Sequence, residues 1–192
     1  MNYNIYGRMG LWTSLAQTRP IRKSLQFTRS GVQLDLPKQV LQADSYVYRV
    51  LWYPWDRVQQ TAARDTRFPS EGSAPSLLVP VGGVYQFDIL RPPKQAFPLR
   101  GRGWTVRERT AAASELQYSQ YPSNAMCKFV FTLPDFVVMH DGMRLARWEE
   151  GRWTEEGIQE YSYNEANRTV QMHIASVGLL ALVQDVTSGF PF

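Results

Sequence analysis

Hydrophobic and polar residues alternate along much of this chain, which is the pattern of β-strands with one buried face. In the segment VQLDL, Val32, Leu34 and Leu36 share one face and polar residues take the other. Four further segments alternate in the same way. Their inward sets are Tyr46, Tyr48, Val50 and Trp52; Tyr85, Phe87 and Ile89; Cys127, Phe129 and Phe131; and Val170, Met172 and Ile174.

The last third of the chain predicts a meander of short strands separated by turn sequences. The predicted strand segments are MRLARW, RWTEEGIQEYSY, RTVQMHI and GLLALVQ, and the turns between them are Glu149-Glu150-Gly151, residues 164–167 and residues 175–177. The segment GLLALV, which begins at Gly178, is apolar on both faces and predicts a central strand. Earlier in the chain, Gly82-Gly83 interrupts an alternating segment, which predicts a bulge or a close backbone approach.

Helical patterns are scarce, so the fold class follows from the strands. Residues 54–65 begin with Pro and residues 110–118 with Thr, and each segment can supply two or three helical turns. About ten short strands without a βαβ rhythm predict a mainly β protein, an antiparallel β-sandwich with short helices, and a closed barrel is the nearest alternative. Residues 1–20 show no sustained period. We expect an extended N-terminal arm there, ordered only against a neighbour, and a β-sandwich domain over residues 21–192.

The composition agrees with one globular domain in a reducing compartment. The chain has 192 residues, of which 44% are hydrophobic and 20% charged. Cys127 is the single cysteine, so no intrachain disulfide can form. No apolar segment has signal-peptide character, and the longest apolar run, residues 177–183, is far shorter than the roughly 20 residues that span a bilayer. We therefore expect a cytoplasmic protein with no membrane partner.

The net charge of +4 divides unevenly along the chain. Residues 1–110 hold 16 Lys or Arg against 7 Asp or Glu, a balance of +9, and residues 111–192 hold 5 against 10, a balance of −5. Arg supplies 17 of the 21 basic residues, which favours fixed bidentate contacts. A basic front half can meet nucleic acid, an anionic membrane or an acidic protein surface, and it is also compatible with an ordinary solvated surface.

The segment LRGRGWTVRER is the best local candidate for a binding site. Its arginines are Arg100, Arg102, Arg107 and Arg109, and they surround Trp104. Arginine with an interleaved aromatic residue can bind single-stranded nucleic acid by charge and stacking. It can equally bind an acidic protein face through bidentate pairs. A strand whose outward residues happen to be basic would show the same pattern.

The segment RWEEGRW places Trp148 and Trp153 on either side of a turn sequence. If Trp148 ends one strand and Trp153 begins the next, the four residues between them form a hairpin connection in which Gly151 is free to take positive φ. The two indoles then pair across the strands. The alternative, a ligand platform, is disfavoured because the neighbouring glutamates would repel phosphate ligands.

Candidate catalytic and metal-binding residues are few. The sequence has two histidines, His140 and His173. His140 precedes Asp141-Gly142, which predicts a turn, and His173 falls on the outward face of its strand. One cysteine and two scattered histidines do not make a zinc site. Phosphate-loop, dinucleotide and nucleophile-elbow motifs do not occur. We therefore predict a protein that is not an enzyme, with no metal, no cofactor and no small-molecule substrate.

The order of the strand motifs carries a family resemblance. YVYRVLWYPWDRV, LLVPVGGVYQFDIL and the long block from ARWEEGRW to GLLALVQD resemble, over residues 31–192, the C-terminal part of the cancer susceptibility candidate or axonemal dynein intermediate-chain-like proteins. The last block is the most specific, and its matching residues are Trp148, Trp153, Gly157, Ile158, Gly178, Ala181, Leu182 and Gln184.

The resemblance implies a non-catalytic structural or adaptor component of the axoneme of motile cilia or flagella, in the cytoskeleton. Its implied partners are inner-arm dynein subunits and tubulin. Members of that family are usually longer, with a charged helical region before these strands and further chain after them. We therefore expect a short member, a split gene product or a piece of a longer protein. The alternative function is a single-stranded nucleic-acid-binding β module that uses Trp104 and its arginines.

Overall fold

The computed structural model describes residues 7–14, 24–37, 46–58, 78–91, 98–101, 104–107, 117–118 and 126–185. Within these ranges the secondary structure is almost entirely β, and only Arg57 and Val58 are helical. The strands are β1 (Arg8–Ser14), β2 (Ser24–Phe27), β3 (Val32–Asp35), β4 (Tyr46–Tyr53), β5 (Leu78–Arg91), β6 (Pro98–Gly101), β7 (Trp104–Arg107), β8 (Gln117–Tyr118), β9 (Cys127–Thr132), β10 (Arg144–Glu149), β11 (Arg152–Thr154), β12 (Ile158–Asn164), β13 (Thr169–Ile174) and β14 (Gly178–Asp185).

These strands form two large antiparallel sheets and one separate hairpin. The seven-stranded sheet has the order β1-β4-β5-β14-β10-β11, and β8 also pairs with β5. The five-stranded sheet has the order β12-β13-β9-β3-β2, and β6 pairs with β7. The predicted mainly β, antiparallel, sandwich-like fold is confirmed.

The core lies between the two sheets and contains the predicted inward sets. Phe129 and Met172 of the five-stranded sheet and Tyr48 and Phe87 of the seven-stranded sheet belong to one buried cluster. Among the predicted inward residues whose side chains are described, all are buried: Val32, Leu34, Leu36, Tyr48, Val50, Trp52, Tyr85, Phe87, Ile89, Cys127, Phe129, Phe131, Val170, Met172 and Ile174. The side chain of Tyr46 lies outside the described residues.

The outer face of the seven-stranded sheet carries a second, smaller apolar cluster. Its buried members are Val84, Ala146, Trp153, Ala181 and Val183. Strand β14 contributes to both clusters and lies between β5 and β10. The prediction that GLLALV forms a central strand covered on both faces is confirmed.

Gly82 and Gly83 form a bulge in β5. Against β14, Val81 pairs with Leu182 and Val84 pairs with Ala181, so both glycines are skipped by the ladder. A Cβ at Gly83 would lie 2.3 Å from the carbonyl oxygen of Tyr53. Both parts of the prediction, the bulge and the close backbone approach, are confirmed.

The predicted meander of the last third is wrong beyond its two hairpins. β10 pairs with β11 and β12 pairs with β13, but β11 and β12 lie in different sheets, as do β13 and β14. The chain leaves the edge of one sheet at β11 and enters the edge of the other at β12 through a turn in which the amide of Ile158 donates to the carbonyl of Glu155. Edge-to-edge crossing lets consecutive hairpins cover opposite sides of one core.

The N-terminal arm and the short helices differ from expectation where they are described. Residues 8–14 form β1, which pairs with β4 of the same chain, and the ring of Trp12 lies 5.4 Å from that of Tyr48. This stretch is therefore ordered by its own chain. The end of the predicted helix over residues 110–118 is strand β8, and the rest of that segment lies outside the described residues.

Of the helix predicted over residues 54–65, only Arg57 and Val58 are described as helical, and residues 59–65 lie outside the described part. The division into an arm over residues 1–20 and a domain over residues 21–192 stays a prediction. In the described part of the chain, no helix has the length and apolar character needed to cross a membrane.

Strand β12 forms one edge of the five-stranded sheet and is irregular. Its register against β13 shifts between Gln159 and Ser162, and Glu160 lies within the shift with a φ of 47°. Most of its side chains are exposed. The strand is therefore kinked at its middle.

Candidate partner-binding groove

The predicted arginine-rich site falls largely outside the described side chains. Arg100 lies on β6, where it pairs with Thr105, and Trp104 and Arg107 lie on β7 opposite Gly101 and Pro98. Arg102 and Arg109 lie outside the described residues. Partner binding by these five positions stays a prediction.

Trp148 and Trp153 form the predicted cross-strand pair. They are direct partners in the β10–β11 ladder, and their rings are 5.3 Å apart at 69°. The connection is shorter than the predicted four residues, because Glu149 also pairs with Arg152. Gly151 takes a φ of 84° and the residue before it a φ of 48°, as a two-residue hairpin turn with two positive φ values requires. The indoles therefore hold a hairpin together.

Trp153 also connects the hairpin to the segment after β4. Its side chain is buried, and its indole nitrogen donates to Oδ2 of Asp56 over 3.2 Å. A buried indole N–H needs such an acceptor. The hairpin prediction is confirmed, and its tryptophans serve packing within the chain.

His140 lies in the predicted turn. The amide of Gly142 donates to its Nδ1 over 3.1 Å, and the amide of Met143 donates to its carbonyl over 3.0 Å. The outward-facing His173 is half-buried, and its Nδ1 lies 3.3 Å from a carboxylate oxygen of Glu160. Among the described residues, no three or more His, Cys, Asp or Glu side chains are grouped so that they can hold a metal ion.

A groove opens at one end of the sandwich, between the two sheets. Its volume is about 630 Å³, within the range of roughly 300–1,000 Å³ typical of ligand sites. The seven-stranded side contributes Arg8 of β1, Trp52 and Pro54 at the end of β4, and Tyr85 of β5. The five-stranded side contributes the turn at residues 28–31 and the segment at residues 132–136.

The floor of the groove is aromatic and rigidly held. The indole nitrogen of Trp52 donates to the carbonyl of Gly82 over 3.1 Å, and the hydroxyl of Tyr85 donates to the carbonyl of Thr132 over 3.3 Å. The bulge in β5 therefore positions Trp52. The hydrogen bond of Tyr85 connects the seven-stranded sheet to the five-stranded sheet. Burial raises the pKa of Tyr85 well above its ordinary value, and the positive charge of Arg8 offsets part of this effect.

Arg8 stands above this floor. Its guanidinium carbon lies 5.0 Å from the centre of the Trp52 ring, which is cation–π distance. The residue is exposed, and within the described part of the chain it forms neither a hydrogen bond nor an ion pair. The groove therefore presents a positioned cation whose donors are free.

The far wall ends in a turn that Arg168 clamps from the β12–β13 connection. The guanidinium of Arg168 donates to the carbonyls of Pro134 and Val137, each over 2.6 Å, and its own carbonyl accepts from the amide of Leu133 over 2.9 Å. Val137 is buried in the core, whereas Phe136 and Val138 are 71% and 75% exposed. An aromatic side chain is thus displayed to solvent by a fixed backbone.

The sequence reasoning missed the residues of this groove other than the inward-facing Trp52 and Tyr85. Arg8 fell in the predicted arm, and Phe136 in a segment that was given no element. Pro134-Asp135 is a turn signal directly after β9, and it would have separated Phe136 from the alternating pattern. The packing of the two sheets brings this turn close to Arg8. No short sequence motif predicts that packing, because it depends on contacts between distant parts of the chain.

Comparison with known proteins finds sequence similarity to axonemal dynein intermediate chains. No family model matches it. Dynein axonemal intermediate chain 7 of Macaca fascicularis and that of Homo sapiens are each 30% identical in an alignment 125 residues long, and the alignment covers 58% of this chain and 17% of the relative. The dynein axonemal intermediate chain 7 homolog of Ciona intestinalis is 26% identical over 146 residues, 59% of this chain and 20% of that protein.

The chain therefore spans about a sixth to a fifth of the length of these relatives. The matched share of this chain is smaller than the span of residues 31–192 in which the resemblance was predicted. The similarity gives no support to the single-stranded nucleic-acid alternative. As the strand motifs predicted, this chain is similar in sequence to the axonemal dynein intermediate-chain-like proteins.

Proposed function

We propose that this chain is a non-catalytic adaptor of the ciliary or flagellar axoneme that docks on a dynein subunit through the groove between Arg8 and Phe136. The observation that carries the proposal is the 71% exposure of Phe136 on a clamped turn beside that groove. A large exposed aromatic residue costs solubility, and it is typical of protein–protein contacts. The names of the relatives supply the axonemal setting.

The hydrogen bonds from Arg168 make the turn that carries Phe136 suitable for docking, because they fix its backbone. Arg168 fixes two carbonyls of the turn, and Val137 anchors it in the core, so Phe136 needs little further ordering when a partner covers it. Binding loses less conformational entropy when the contact residues are already fixed. Exposed aromatic residues on such supports often contribute more than 1 kcal/mol to binding.

The proposal is tested by the retention of a tagged chain on detergent-extracted axonemes. Phe136→Ser removes the aromatic side chain, and Val138→Ser is the matched control because it lies in the same exposed segment outside the groove lining. We expect Phe136→Ser to shift the protein to the soluble fraction and to reduce coprecipitation of dynein subunits. Val138→Ser should behave as the wild type. Equal retention of the two variants would exclude the groove as the docking site.

A second contact, with tubulin, is proposed for the arginine-rich segment. The tubulin surface is acidic, and the first 110 residues carry a balance of +9. Replacement of Arg100, Arg102, Arg107 and Arg109 with Glu should weaken cosedimentation with microtubules. The same four positions changed to Lys retain the charge and should retain most of the binding at low salt. Unchanged binding of the Glu variant would remove this segment from the mechanism.

A further inference from the structure

The walls of the groove differ in charge, and this difference indicates what kind of segment fits. Arg8, which has no ion pair within the described ranges, supplies a cation on the wall of the seven-stranded sheet, and Asp135 supplies a carboxylate on the opposite wall. Arg29 is exposed in the turn between the lining residues Thr28 and Ser30 and adds positive charge near the rim. A partner's carboxylate is therefore attracted toward Arg8 and away from Asp135.

The position of the Arg8 guanidinium over the Trp52 ring bears on the geometry of this contact. A guanidinium that lies over a ring keeps its N–H donors at its edge, in the arrangement that binds a carboxylate through two parallel hydrogen bonds. The ring holds the cation in place at 5.0 Å. The side chain is thus preorganised for an acidic group, and the contact needs no rearrangement of the floor.

Phe136 specifies the apolar part of the partner. Trp52 and Tyr85 are already buried by their own chain, so the aromatic surface left to cover belongs mainly to Phe136. An aromatic or large aliphatic side chain entering the groove would contact Phe136 on one side and the aromatic floor below. The groove is partly open to solvent, so a segment of another protein can reach its lining residues.

We infer that the groove binds an extended segment of the partner protein in which an aromatic or large aliphatic side chain is flanked by carboxylates. This inference rests on the proposed docking function and names the chemistry of the docked segment. The apolar side chain lies against Phe136, and one carboxylate pairs with Arg8.

The test measures the fluorescence anisotropy of labelled peptides with the full chain. The probes have the sequences GSEEFEEGS, GSEEAEEGS and GSKKFKKGS. We expect the acidic phenylalanine peptide to bind about tenfold more tightly than either of the other two, because the alanine peptide lacks the apolar anchor and the lysine peptide reverses the charge. Its affinity should fall as salt rises, because the charge pair is partly exposed.

Five variants locate the binding. Phe136→Ser and Arg8→Glu should each weaken the acidic phenylalanine peptide about tenfold. Val138→Ser and Arg152→Glu are matched controls with the same chemical changes at exposed positions outside the groove, and they should leave the affinity unchanged. Circular dichroism of each variant confirms that the sandwich is intact, and Arg8→Lys should restore part of the affinity lost in Arg8→Glu.

Three results would overturn the inference: no binding of the acidic phenylalanine peptide at millimolar concentration, equal binding of the alanine peptide, or equal losses in the variants and their controls. These results are separate from the test of the proposed function. If the peptides fail while axonemal retention still depends on Phe136, the docking site stands and the acidic chemistry is wrong. If retention does not depend on Phe136, the docking function itself is wrong.

Discussion

Gly83 lies where β5 passes closest to the end of β4, and an added Cβ would be 2.3 Å from the carbonyl oxygen of Tyr53. It also has a φ of 99°, which L side chains rarely adopt. Gly151 has a similar φ of 84°, but a Cβ there would meet nothing within 4 Å. Substitutions at these two glycines therefore distinguish the cost of backbone strain from the cost of steric overlap.

We predict that Gly83→Ala lowers the free energy of unfolding by roughly 2–5 kcal/mol, because strain and overpacking add. Gly151→Ala should cost only the strain, roughly 1–2 kcal/mol. Urea denaturation followed by circular dichroism measures both values. Equal losses would mean that β5 moves away from Tyr53 without cost.

Because Tyr85 is buried, the stability of the fold should fall as the pH rises in the alkaline range. Burial raises the pKa of its hydroxyl above the ordinary value, so the folded state keeps the proton at a pH where the unfolded state loses it. Stability from this group is complete below the unfolded pKa of about 10. As the pH rises above that value, this contribution falls by up to about 1.4 kcal/mol per pH unit.

We predict that Tyr85→Phe is less stable than the wild type at about pH 8, by roughly 0.5–1.5 kcal/mol, because the hydrogen bond to the carbonyl of Thr132 is lost. The difference should shrink and then reverse toward about pH 11, because Phe has no proton to lose. Urea denaturation at both pH values measures it. A difference that stays constant with pH would show that the hydroxyl ionises in the folded state.

At the scale of the element, the turn after β9 is fixed by a residue from a different hairpin. We predict that Arg168→Ala lowers the free energy of unfolding by about 1–3 kcal/mol, because two carbonyls lose a charged donor. The amide of Val137, which donates to Pro134, should exchange its hydrogen faster. Denaturation and hydrogen exchange measure the two effects.

Arg144→Ala is the matched control for that prediction. Its guanidinium pairs with Glu155 over 2.8 Å, and both side chains are largely exposed. Such surface pairs contribute about 0–1 kcal/mol, so the control should lose little stability and leave the exchange of Val137 unchanged. Equal effects of the two substitutions would show that the turn is held by its own sequence.

The elements differ in how far the sequence specifies them. The faces of β3, β9 and β13 were predictable, because alternate side chains must point to opposite sides of a strand. Their order in the sheet was not, because β9 lies between β3 and β13 although about a hundred residues separate it from β3. The Trp148–Trp153 hairpin was predictable because its pairing is local.

The groove could not be predicted from the sequence. Arg8 lies in β1 of the seven-stranded sheet, and Phe136 follows β9 of the five-stranded sheet more than a hundred residues later, so only the packing of the two sheets brings them together. The alternation identified Trp52 and Tyr85 as core residues, and they form its floor. The predicted arginine-rich site followed from charge and aromatic spacing, which indicate chemistry without indicating which surface faces a partner.

At the scale of the whole molecule, both sheets share one buried cluster. We predict that Phe87→Ala and Phe129→Ala, one in each sheet, each lower the free energy of unfolding by about 3–5 kcal/mol. Tryptophan fluorescence and far-ultraviolet circular dichroism should report the same midpoint for each variant, because the main buried cluster is built from residues of both sheets. Two separated transitions would contradict a single cooperative unit.

The kink at Glu160 has a consequence for crowded surroundings. An outermost strand with free backbone groups can recruit the matching strand of another molecule, and a straight one does so repeatedly. Because the register of β12 is shifted and most of its side chains are exposed, a second copy cannot form a continuous ladder of backbone hydrogen bonds along this strand. We therefore expect copies held side by side at high local density not to join through this edge.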